Sequence, residues 1–220
     1  MRKPNALVAA VCVLAGTAMT GAERPFVFSE AVVPGAVFTN AQGINAGGTI
    51  VGFYRDSTNR THGFVWDQGA VTTIDYRDAS GNIAAFTDAR GISPGGDIVG
   101  GYRMAGEPAV NFHGYLLKKD GTFINVDFPG HTSTIPQRIL PDGTIIGCRH
   151  DFDTMTTMRG IRISSSGESE EIDEVASMNN GATPDASLIV GQFTDMMTGR
   201  NEGYVVEDGI FTPFVVPGST

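Results

Sequence analysis

A short glycine-bounded motif occurs four times in this 220-residue chain, and nothing else in the sequence restricts the fold as strongly. Gly47-Gly48-Thr49-Ile50-Val51-Gly52 recurs as Gly95-Gly96-Asp97-Ile98-Val99-Gly100. It returns as Pro141-Asp142-Gly143-Thr144-Ile145-Ile146-Gly147 and as Pro184-Asp185-Ala186-Ser187-Leu188-Ile189-Val190-Gly191. Each copy leads into Tyr54, Tyr102 or Phe193, with Cys148-Arg149 there in the third copy. A polar loop follows, then a strand opening on Gly63, Gly114, Gly160 or Gly203, then a hairpin and a closing strand. No helix-length pattern lies between copies, so each unit holds about four short strands, the period of one propeller blade. A lone four-stranded sheet cannot cover two apolar faces, whereas sheets stacked around an axis bury both. The expected fold is therefore all-β: a small β-propeller of four repeats, roughly 39–86, 87–133, 134–176 and 177–220. An extra N-terminal strand, Phe26 to Val33, ends in Pro34-Gly35 just as Phe128-Pro129-Gly130 and Val216-Pro217-Gly218 do. Such a strand can join the far end of the chain and close the ring, and strand exchange with a partner chain is the oligomeric alternative.

The first 22 residues read as a secretory signal. Arg2 and Lys3 precede the weakly apolar run Ala6 to Met19, and Thr20-Gly21-Ala22 supplies small residues before a cut. The remaining 23–220 form one domain, expected to be secreted or periplasmic and without membrane insertion, since no second apolar run of spanning length follows. A net charge of -9 offers no basic field for nucleic acid. Beyond the signal, Cys148 is the single cysteine, so packing rather than a disulfide must stabilise the fold, and Cys148 itself reads as a buried small hydrophobe.

The first unit contains Gly43-Ile44-Asn45-Ala46-Gly47-Gly48-Thr49-Ile50-Val51-Gly52-Phe53-Tyr54, His62-Gly63-Phe64 and Thr72-Thr73-Ile74-Asp75. The second has His113-Gly114-Tyr115 and Val126-Asp127-Phe128-Pro129-Gly130. Together they resemble the HAF-type repeats of bacterial extracellular proteins; Arg159 and Glu202 depart from the pattern in copies three and four. The resemblance covers almost all of 23–220 and implies export and a repeat β fold. It brings no established activity and no catalytic residue.

Repeated His and Asp invite a metal or acid–base reading, and hairpin register tests it. The loops Gln68-Gly69, Lys119-Asp120-Gly121, Ser165-Ser166-Gly167 and Asp208-Gly209 set four pairs opposite each other. These are His62 with Asp75, His113 with Asp127, Arg159 with Asp173, and Glu202 with Val215. Asp stands where its partner can be cationic and is gone where the partner is acidic, as a cross-strand structural pair requires. His131 and His150 fall in or near loops and read as surface residues. No cofactor or metal is expected, and no catalytic residues are assigned.

The favoured function is a non-catalytic exported module that binds a ligand, either a saccharide or a protein, through loops at one rim. Tyr54, Arg55, Tyr102 and Arg103 are the candidate ligand-binding residues, because aromatic and guanidinium groups hold sugars and carboxylates. A polysaccharide-acting enzyme using Asp56, Asp151 and Asp195 is one alternative; a structural or self-assembling surface protein is another. Met155, Met158, Met196 and Met197 occupy two equivalent loops, as an adaptable contact surface or as packing beneath them.

Overall fold

A computed structural model describes residues 30–215 other than 173 and 175. The first glycine motif lies in a four-stranded antiparallel meander of β1 (Phe38–Ile44), β2 (Ile50–Arg55), β3 (Thr61–Asp67) and β4 (Ala70–Ile74). In the second meander the leading strand is broken into β5 (Phe86–Thr87) and β6 (Gly91–Ile92). It continues with β7 (Ile98–Arg103), β8 (His113–Leu117) and β9 (Phe123–Asn125). The third is β10 (Ser133–Ile139), β11 (Ile145–His150), β12 (Arg159–Ile163) and β13 (Ser169–Glu171), with one helical turn, α1 (Thr154–Thr157), before β12. The fourth is β14 (Ser177–Ala182), β15 (Leu188–Asp195), β16 (Arg200–Glu207) and β17 (Ile210–Phe214).

The closing glycine of every motif has one physical cause. In three meanders the first strand carries a bulge opposite it, between Ala41 and Gly43, Pro136 and Arg138, or Asn179 and Gly181. In the second the strand breaks there instead. The bulged backbone crowds the neighbouring strand, so a Cβ on Gly52, Gly100, Gly147 or Gly191 would lie 2.0, 2.0, 2.1 or 2.2 Å from a first-strand carbonyl oxygen. All four hairpins keep the expected registers: Asp67 pairs with Ala70 and Glu207 with Ile210 across two-residue turns, and Leu117 pairs with Phe123 and Ile163 with Ser169 across longer ones.

Each of the two middle meanders buries one face on the preceding meander and the other on the following one. Ile98, Tyr102 and Tyr115 pack with Val51 and Ile74 of the first meander, while Val99 packs on Ile139, Ile145 and Ile161 of the third. Ile172 of the third joins Ile189, Tyr204 and Val206 of the fourth. A parallel pairing of Thr61 with Phe86 merges the first two meanders into one nine-stranded sheet; the third and fourth remain separate four-stranded sheets.

The all-β reading holds, but the described residues form three sheets rather than a closed four-bladed propeller. Packing between meanders runs first to second, second to third and third to fourth, and packing of that extent does not join the fourth to the first among the described residues. The signal segment, the first half of the extra strand at 26–33, and Val216-Pro217-Gly218 lie outside the described residues, and 30–33 form no strand.

Candidate functional site

In three of the four meanders the residue two positions beyond the closing glycine links across its own sheet. The Tyr54 hydroxyl lies 3.0 Å from Thr73 Oγ1, and the Tyr102 hydroxyl donates to Asn125 Oδ1 at 3.2 Å. In the third meander the equivalent residue is Arg149, whose Nε donates to Glu171 at 2.6 Å. Thr73, Asn125 and Glu171 occupy one register position, opposite Phe64, Tyr115 and Ile161. In the fourth meander Phe193 and Pro213 take the two places, and neither can form a polar link. Both ends of the brace change together: hydroxyl with hydroxyl, hydroxyl with amide, cation with carboxylate, apolar with apolar.

Arg55 and Arg103 point to the opposite face of the strand, as adjacent residues must. Each is opposite a phenylalanine in the ladder. The Arg55 guanidinium sits 4.9 Å from the Phe38 ring centroid, and that of Arg103 lies 5.7 Å from Phe86 and 5.4 Å from Phe112. Arg103 also donates to the Ala109 carbonyl at 2.7 Å. The four candidate residues therefore fall into separate contact sets on two meanders. The sequence showed the arginines and tyrosines but not these partners, because the first strands carry no repeated motif of their own.

The histidines meet the expected aspartates, and each meets a second carboxylate. His62 Nδ1 is 2.8 Å from Asp75 and Nε2 is 3.3 Å from Asp56. His113 Nδ1 is 3.2 Å from Asp127 and Nε2 is 3.1 Å from Glu107. A neutral ring satisfies one of its two acceptors and a protonated ring both. Asp173, the residue set opposite Arg159, lies outside the described residues. Because His113 and Asp127 touch, alanine at both positions should cost less than the sum of the single changes. The expected coupling is roughly 0.5–1 kcal/mol in a double-mutant cycle read by urea unfolding. Strictly additive losses would contradict a shared contact.

His150 corrects the surface reading. It is buried at the end of β11, with Nε2 3.0 Å from Ser133 Oγ and Nδ1 2.9 Å from the Asp151 carbonyl. His131 instead contacts the Asp151 carboxylate at 3.0 Å. Cys148 is fully buried, and burial pushes its thiol up to about 12, which leaves no thiolate nucleophile near neutral pH. Met196 and Met197 are both exposed.

The three carboxylates of the enzymatic alternative are tied into their own loops. Asp56 accepts from the Thr58 hydroxyl at 2.7 Å and the Arg60 N–H at 3.0 Å. Asp151 accepts from His131 and from the Thr132 N–H, and Asp195 from the Thr198 hydroxyl and the Met197 N–H. These bonds hold Asp56 down to about 2, the Thr58 hydroxyl contributing most, and lower Asp151 and Asp195 below the usual carboxylate range. A glycosidase acid needs the opposite shift. Among the described residues no group of three or more His, Cys, Asp or Glu is placed to hold a metal ion.

The turn aspartates should make the fold less stable in acid. Asp185, bonded first by the Thr183 hydroxyl and then by Ser187, is also lowered to about 2. In the unfolded chain such groups titrate near 3.9, so what they contribute to stability is complete above about pH 4. It is lost as the pH falls toward about 2. Melting curves should show Tm dropping across that window, and Asp56→Asn with Asp185→Asn should make the drop shallower. An unchanged slope in the double variant would count against these two groups.

Two concavities stand out among the described residues. The larger, about 680 Å³, lies between the third and fourth meanders, and its lining includes Glu170, Glu174, Asp185 and Asp208 around Arg162. The other, about 490 Å³, opens at the edge of the second meander. Its floor is Tyr76 stacked on Tyr102 at 3.5 Å, with Phe123 edge-on to Tyr76 at 5.1 Å. Asn125 is exposed and its Oδ1 accepts both tyrosine hydroxyls, at 2.5 and 3.2 Å, which leaves its Nδ2 without a hydrogen-bond partner among the described residues. Arg77 and Asp78 stand at the rim.

No family model and no curated protein matches the chain. Among the solved structures with a similar fold are two TolB proteins. TolB from Acinetobacter baumannii superposes with a TM-score of 0.56 at 13% identity, over 80% of this chain and 42% of that one. A putative TolB from Agrobacterium tumefaciens gives 0.57 at 16% identity, over 81% and 65%. The chain thus spans less than two thirds of either structure. At this identity the likeness concerns the fold, an all-β architecture of propeller type. No helix among the described residues is long and apolar enough to cross a membrane.

Proposed function

We propose that the chain is an exported, non-catalytic binding module that takes a saccharide, acidic sugars included, in the cleft over Tyr76 and Tyr102. The observation that carries this reading is the composition of that cleft. The partly exposed Phe123 ring beside the buried tyrosine stack, the amide of the exposed Asn125 and the Arg77 guanidinium suit a sugar face, a hydroxyl and a carboxylate respectively. Tyr102 forms part of the site, while Tyr54, Arg55 and Arg103 hold the scaffold that carries it. The lowered carboxylates support a non-catalytic role, and the likeness to TolB supports a propeller-type scaffold.

A glycan array with the purified 23–220 chain tests the reading, followed by calorimetry on the best ligand. Arg77 is exposed, and among the described residues its side chain makes no hydrogen bond or ion pair. Arg77→Ala should therefore weaken an acidic glycan by about 10- to 100-fold, as loss of a charge-assisted hydrogen bond does, with Tm unchanged. Absence of any glycan signal would overturn the saccharide assignment. Turnover of a polysaccharide would overturn the non-catalytic one.

A further inference from the structure

The three junctions between consecutive meanders show what each apolar face needs, and the two end faces lack it. Val51, Val99 and Ile146 hold one motif position and are 0% exposed, whereas their fourth-copy counterpart Val190 is 37% exposed. Ile74, Val126 and Ile172 stand opposite the glycines that open the third strands, and each packs into the cluster shared with the following meander. Phe214, opposite Gly203, is 48% exposed. At the other end the pattern inverts. Ile139 is buried by the preceding meander and Ile92 packs in the same way, but Ile44 is 66% exposed. Ile50 is half-buried where Ile98, Ile145 and Ile189 are buried.

We propose that a second copy of this chain covers both faces. The Val190–Phe214 face of one copy seats on the Ile44–Ile50 face of the other, and the reciprocal contact closes a two-copy ring of eight sheets. The interior junctions identify the occupant. Val51 is covered by the face that carries Ile98, and Val99 by the face that carries Ile139 and Ile145. The surface that fits Val190 is therefore the matching face of another repeat, and among the described residues the first meander carries the one such face left uncovered. Eight sheets lie within the range of about 4–8 blades that propellers adopt. A head-to-tail contact used twice under a two-fold axis closes without forming a fibre. Leaving both faces in water would expose an apolar patch at each end of a monomer.

Sedimentation equilibrium on the mature chain should give twice the chain mass. Val190→Asp and, separately, Ile44→Asp should give monomers with unchanged circular dichroism, since both side chains are exposed in a single copy. A short bis-maleimide should join Ile44→Cys protein to Val190→Cys protein when the two are mixed, and neither variant to itself; Cys148 is buried and does not compete. Three results would overturn the proposal: a monomer at every concentration, intramolecular joining in the double-cysteine variant, or a ladder of larger polymers. The wild-type mass decides the matter even where a variant fails to fold.

Discussion

Gly100→Ala should destabilise the protein by about 3 kcal/mol, while alanine at the adjacent Gly101 should cost far less. The two positions share a strand and differ in what a Cβ would meet. At Gly100 it would lie 2.0 Å from the Asp88 carbonyl oxygen and 2.8 Å from the Tyr115 hydroxyl. That carbonyl is backbone and already accepts the Tyr115 hydroxyl at 2.7 Å, so relief requires moving the strand break and losing a buried hydrogen bond. At Gly101 the nearest atom is the tip of the Asp88 side chain, 3.3 Å away. For a chain of this length the Gly100 change corresponds to a Tm lower by about 10 °C. Similar losses at both positions would mean that the glycine serves backbone freedom rather than close approach.

This contrast also shows what the sequence could disclose. The four motifs were legible because close approach admits only glycine at the same point in each unit, and hairpin turns fix register within two or three residues. The cross-strand meetings of His62 with Asp75 and His113 with Asp127 were readable for the same reason. The first strand of each meander was not. Its job is to lay a backbone carbonyl over the glycine, and Asn40, Asp88, Ile135 and Met178 all do this with an atom that any residue supplies. The cleft was hidden for a related reason. Tyr76, Tyr102 and Asn125 converge from three separate segments, and Asn125 is bland until both hydroxyls are seen to donate to it. Whether the ring closes was also beyond reach, since the motif is apolar in all four copies and only the packed structure distinguishes Val190 from Val51.

The brace across each sheet yields the last expected result. Arg149 is largely buried and satisfied by Glu171 and by the Thr157 carbonyl. Glu171→Ala leaves a buried guanidinium with its carboxylate gone, and loss of one member of such a pair should cost about 3 kcal/mol. Arg149→Ala should cost less in electrostatics, because the Glu171 side chain is partly exposed and can hydrate, although it adds a packing loss. Buried ion pairs can often be exchanged for well-packed groups with little loss. The second meander supplies a ready replacement, the Tyr102–Asn125 pair at the same two positions. Arg149→Tyr with Glu171→Asn should therefore return to within about 1 kcal/mol of the parent, although each single change is destabilising. Urea unfolding of the four proteins reads the cycle directly. If the double variant is as unstable as the two single losses combined, the position does not carry an interchangeable brace, and the concerted changes from unit to unit have some other origin.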